Sequence, residues 1–114
     1  MISIAFPPVT DDLLTLMVQK IVEQFQPEKV VLFGSHAWGA LRQDSDVDVL
    51  VVMESDLSSA RRSAEVSLAC RPRGLAVDFL VKTPAEVERQ LKIGDPFLRR
   101  ILEQGRVLYA LSCS

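Results

Sequence analysis

The stretch from Gly34 to Val52, GSHAWGALRQDSDVDVLVV, constrains this chain more than any other. An apolar run, Val30-Val31-Leu32-Phe33, leads into it and reads as a buried strand. Gly34-Ser35 then breaks that strand and opens a short helical segment. The stretch closes on Asp46-Val47-Asp48, at the mouth of a second apolar strand. Side chains two apart on a strand share a face, so Asp46 and Asp48 point the same way. Two neighbouring carboxylates repel unless a cation sits between them, and a hard divalent cation with oxygen ligands suits that place. A Gly-Ser turn opening a helix offers free backbone N–H groups and a hydroxyl to an anion. Phosphate at one end and metal at the other predict a nucleotide–Mg²⁺ site.

The rest of the chain narrows the setting. At 114 residues it is expected to be one domain, 1–114, with a single core. A net charge of −2 argues against a nucleic-acid binder that works by non-specific charge, so no direct nucleic-acid partner is expected. No apolar stretch approaches the roughly 20 residues of a membrane span. The first nine residues are apolar but carry Pro7-Pro8 and no basic flank, which does not read as a signal peptide. Cys70 and Cys113 form no metal or redox spacing and fit a reducing, cytoplasmic setting.

Thr10 is the expected N-cap of a helix over 11–25, with Leu14, Met17, Val18, Ile21, Val22 and Phe25 on its buried face. Pro27 ends it. Strands are predicted over 29–33 and 46–53, with a motif helix over 36–41 and a polar turn at 43–45 between them. A third helix is predicted over 57–70, capped by Ser55 or Asp56. Its weak apolar face (Leu57, Ala60, Ala64, Leu68) is expected to cover the sheet loosely. A strand over 75–81 follows, with Asp78 opposite the face of Leu75, Val77, Phe79 and Val81. Thr83-Pro84-Ala85-Glu86 is a capping box with proline at the first helical position. Asp95-Pro96 starts another helix, Gly105 stops it, and 106–111 reads as a last strand. Alternating helices and strands predict an α/β (α+β) fold around a small mixed sheet flanked by helices.

Each signal has a plainer reading. Gly-Ser at a strand end is usually a turn, and Asp44-Ser45-Asp46 could be turn chemistry alone. Asp48 resists such a reading, because an unpaired carboxylate inside an apolar strand is costly. Asp78 repeats the anomaly between Val77 and Phe79, and neither strand supplies a basic partner. If the two strands are neighbours in register, three carboxylates converge. Arg61, Arg62, Arg71 and Arg73 read as a solvated face rather than a binding patch. His36 reads as an exposed helix position and Tyr109 as packing.

As a pattern, Gly34, Ser35, Gly39, Ser45, Asp46 and Asp48 match the signature of the nucleotidyltransferase superfamily related to DNA polymerase β. The short length, the leading helix, Asp78 and the Gly105–Tyr109 ending resemble its minimal nucleotidyltransferases, antitoxins paired with helical HEPN-type toxins. The resemblance implies a Mg²⁺-dependent enzyme that transfers AMP from ATP to a hydroxyl, typically tyrosine, of the partner toxin. It assigns Asp46, Asp48 and Asp78 to the metals, with Asp78 also helping to deprotonate the attacking hydroxyl. Gly34, Ser35 and Ser45 would bind the nucleotide. Many relatives carry Arg where this chain has Trp38. Residues four apart share a helix face, so Arg42 would supply the missing cation if the motif helix runs one residue past Leu41. The resemblance also admits a binding module that occludes a toxin, and an aminoglycoside-type enzyme that needs a second subunit. The small sheet and weakly apolar third helix suggest exposed apolar surface, hence a homo- or hetero-oligomer.

Overall fold

The helical spacing of Leu14, Met17, Val18 and Ile21 buries one face of α1 (Asp11–Phe25) in a computed structural model that describes residues 11–34, 47–72 and 76–111. Gln26 leaves that helix with a left-handed φ of 50°, while its N–H still reaches Val22 O at 3.1 Å. The chain then runs through β1 (Lys29–Phe33), β2 (Val47–Val52), α2 (Ser59–Cys70), β3 (Val77–Lys82), α3 (Pro84–Lys92), α4 (Pro96–Gln104) and β4 (Arg106–Ala110).

The strands form one mixed sheet in the order β3-β2-β1-β4. β1 is antiparallel to both β2 and β4, whereas β2 and β3 are parallel and joined through α2. α1 and α2 cover one face, burying Met17, Ile21 and Val66 against Val30, Leu32, Val49 and Val81. α4 covers the other with Leu98 and Ile101 on Val31, Phe33, Leu50 and Val52, and α3 adds Val87 and Leu91 at its margin. β2 is thus covered on both sides, which is why its sequence is an apolar run rather than an alternation. The expected mixed sheet flanked by helices is the observed architecture.

Several local expectations carry through. Thr83 Oγ1 accepts from Glu86 N at 3.2 Å and Glu86 Oε1 accepts from Thr83 N at 2.9 Å, a complete capping box. Asp95 Oδ1 accepts from Phe97 N and Leu98 N at 2.9 and 3.2 Å and fixes the start of α4. Gly105 ends α4 where the chain crosses β1: a Cβ there would meet Val31 Cγ1 at 2.6 Å and Leu32 O at 2.9 Å. Tyr109 packs against the core on the α1 side. β3 pairs with β2 in register from Val47↔Val77 to Val52↔Lys82, and the expected start at residue 75 lies outside the described residues.

α2 departs from expectation. It starts at Ser59, capped by Ser58, whose side chain accepts from Arg61 N at 3.4 Å; Ser55 Oγ instead accepts from Leu57 N in a local turn. Its buried face is Arg62, Val66 and Cys70, not Leu57, Ala60, Ala64 and Leu68, and Leu68 is 89% exposed. Nor is Arg62 part of a solvated face. Its guanidinium donates to Leu57 O, to Val81 O and to Glu86 Oε1, the last at 2.7 Å, tying α2 to β3 and α3. The helix is therefore held firmly. The motif helix expected over 36–41, the turn at 43–45 and the Thr10 cap lie outside the described residues. No helix among the described residues is long and apolar enough to cross a membrane.

Candidate active site

Strand direction decides what meets at the candidate site. β2 and β3 are parallel, so both begin at the same end of the sheet, and antiparallel β1 finishes there. Within that end the register sets Phe33 opposite Asp48 and Asp48 opposite Asp78. Residues directly opposite on paired strands share a face, so Phe33, Asp48 and Asp78 form one row across three strands, about 5 Å apart at each step. The row lies on the face that carries α3 and α4, shared with Leu50 and Val52. The condition set by the sequence, neighbouring strands in register, is met for Asp48 and Asp78.

Asp48 is half-buried and Asp78 exposed, at the sheet edge formed by β3. Like charges directly opposite each other destabilise a sheet unless a counter-charge intervenes. Two carboxylates in that relation offer hard oxygen ligands to a divalent cation, and one of them remains open to solvent for exchange. Among the described residues no cluster of three metal-ligating side chains forms. The third expected ligand, Asp46, lies outside the described residues, as do Ser35, Arg42 and Ser45.

Gly34 closes the site on the β1 side. It is buried and takes a left-handed φ of 80°. A Cβ at this position would overlap the Asp48 carboxylate, with Asp48 Cγ at 3.2 Å. Backbone geometry and clearance thus both call for glycine here, and the clearance is for the carboxylate of the row. That role differs from the phosphate contact expected from the sequence, and the two are compatible.

Beyond Phe33 the row continues into an aromatic pair. The Phe33 and Phe97 rings meet edge to face, with centroids 5.9 Å apart and planes at 81°. The sequence reading missed this pair. Its signal was available: Asp95-Pro96 starts α4 and puts Phe97 in the first turn, at a position not needed for the core. Elsewhere, an apolar groove of about 560 Å³ lined by Lys29, Val52, Pro84, Val87, Leu91 and Leu111 lies at the opposite end of the sheet, away from the carboxylates.

Comparison with known proteins points the same way as the row. The family profile described as "Nucleotidyltransferase domain" matches residues 16–109. A Methanocaldococcus jannaschii protein named "Putative protein adenylyltransferase" is 33% identical over 82 residues, covering 72% of this chain and 78% of its own. A crystal structure from Sulfolobus solfataricus, described as "a putative nucleotidyltransferase", superposes with a TM-score of 0.61 at 24% identity, over 87% of this chain and 78% of that one. That likeness is one of fold.

Proposed function

The chain belongs to the nucleotidyltransferase domain family, and from that premise we propose that it transfers AMP from ATP to a hydroxyl on a protein partner. The observation that carries the reading is the register that sets Asp48 opposite Asp78 beside the clearance left by Gly34. The named activity of the Methanocaldococcus jannaschii relative supports a protein as acceptor. The acceptor we favour is a tyrosine hydroxyl of a helical, HEPN-type toxin, with this chain as the antitoxin.

In this reading Asp46, Asp48 and Asp78 hold Mg²⁺. Bound there, Mg²⁺ would supply Lewis acidity at the reacting phosphate and offset charge on the departing pyrophosphate. Asp78, the exposed member of the row, accepts the proton of the attacking hydroxyl. The hydroxyl oxygen bonds to the α-phosphorus, the bond from that phosphorus to the bridging oxygen breaks, and pyrophosphate leaves. Backbone N–H groups at Gly34 and Ser35, with the Ser35 and Ser45 hydroxyls, hold the phosphate oxygens. Arg42 supplies the cation that relatives carry at position 38. Arg42→Ala should weaken binding of ATP–Mg²⁺ about tenfold in calorimetric titration, equivalent to about 1.4 kcal/mol. An unchanged affinity would remove Arg42 from the site.

The deciding experiment incubates the chain with the product of its neighbouring gene, which the reading requires to be a helical protein, and with ATP labelled at either the α- or the γ-phosphate. Label from the α-position should reach the partner, and Asp48→Asn should abolish that transfer while retaining the circular-dichroism spectrum of the parent. Transfer of γ-label, or undiminished α-transfer by Asp48→Asn, would overturn the reading.

A further inference from the structure

We infer that Phe97 is the stacking platform for the nucleobase, a binding element for the nucleotide. The inference rests on the nucleotidyltransferase reading and adds a residue to it. Phe97 is 53% exposed, although it lies next to a core ring that is only 8% exposed, Phe33. Its backbone N–H is held by Asp95 Oδ1 at 2.9 Å, and its ring is braced edge to face on Phe33 at 5.9 Å. A large apolar ring is thus fixed in place yet left half in solvent. Such a ring can stack on a planar base without first losing conformational freedom, and stacking tolerates any base because each presents a π-face.

Position gives the ring its role. Phe33 stands directly opposite Asp48, one strand spacing away, and Phe97 stands one ring contact beyond Phe33. The Phe97 ring therefore lies within about 10 Å of the row, since a strand spacing of about 5 Å and the ring separation of 5.9 Å bound the two steps. That is the reach of one nucleotide, with its phosphates at the carboxylates and its base at the ring. The row of Asp78, Asp48 and Phe33, with Phe97 against Phe33, sets an aromatic surface beside the carboxylates, as a nucleotide sets its base beside its phosphates.

Calorimetric titration of two probes, ATP–Mg²⁺ and inorganic tripolyphosphate–Mg²⁺, tests the assignment on the full chain. Tripolyphosphate has the charges of the nucleotide but no base. Phe97→Ala and Phe97→Leu should each weaken ATP binding by tenfold or more and leave tripolyphosphate binding within twofold of the parent. Phe97→Trp should restore ATP affinity, and the fluorescence gained over the parent should be quenched on adding ATP but not tripolyphosphate. Unchanged ATP affinity in Phe97→Ala, or an equal loss for both probes, would overturn the inference. Parent-like ATP affinity in Phe97→Leu would also overturn it, since apolar bulk alone would then suffice. Failure of the parent chain to bind ATP would instead sink the nucleotidyltransferase reading on which the inference stands.

Discussion

Gly34 and Gly94 share a left-handed backbone, with φ of 80° and 82°, but not a neighbourhood. Around Gly94 a Cβ would meet nothing within 4 Å, whereas at Gly34 it would strike the Asp48 carboxylate. The two glycines therefore separate backbone strain from site damage. Alanine at either position should cost about 1–2 kcal/mol from the left-handed conformation alone. Gly94→Ala should lose that stability in urea titration and keep its transfer rate. Gly34→Ala should lose at least as much stability and also more than tenfold in transfer, because the carboxylate must move. Equal activity in the two variants would show that the clearance at Gly34 has no part in the chemistry.

Among the elements, α2 shows what the sequence concealed and why. Its most conspicuous apolar residue, Leu68, faces solvent, and its buried stripe begins with a charge, Arg62. The spacing of Arg62, Val66 and Cys70 is a helical stripe, but arginine is read as surface until its partner is known. That partner, Glu86, lies 24 residues on and across β3. Arg62, and after it the Thr83 N–H, holds the Glu86 carboxyl at about 2 instead of 4.5. A carboxyl so lowered contributes stability that is complete above about pH 4.5 and is lost as pH falls toward 2. Glu86→Gln should cost about 1.5–3 kcal/mol at neutral pH, the scale of a hydrogen bond to a charged group. It should also flatten the acid side of the stability–pH curve. Arg62→Met combined with Glu86→Leu should recover much of the loss, since apolar pairs often replace buried ion pairs without penalty. A double variant less stable than both singles would contradict this account. Asp48, by contrast, was legible at once, because one carboxylate inside an apolar run has few explanations. Its pairing with Asp78 was legible only as a condition, since local spacing says nothing about which strands become neighbours. The Phe33–Phe97 contact was hidden for the same reason: it joins two elements through the tertiary fold.

At the scale of the molecule, cation binding by the proposed carboxylate site would be coupled to folding. A cation that binds the paired carboxylates but not the unfolded chain stabilises by about 2.7 kcal/mol at a hundred times its Kd. For a domain of this size that corresponds to a rise in melting temperature on the order of 10 °C. Mg²⁺ without nucleotide should therefore raise the melting temperature in a saturable way. Asp48→Asn should remove the response. A parent chain indifferent to Mg²⁺ would contradict the coupling. The parallel pairing of β2 with β3 has one more consequence, for the order in which the site comes into existence. Asp78 leaves the ribosome thirty residues after Asp48. The two meet only after α2 has folded back and β3 has found its register. A slip of one residue would set Val77 or Phe79 opposite Asp48 and turn Asp78 to the other face. A chain stalled or cleaved before Val77 is thus born without half of its carboxylate pair.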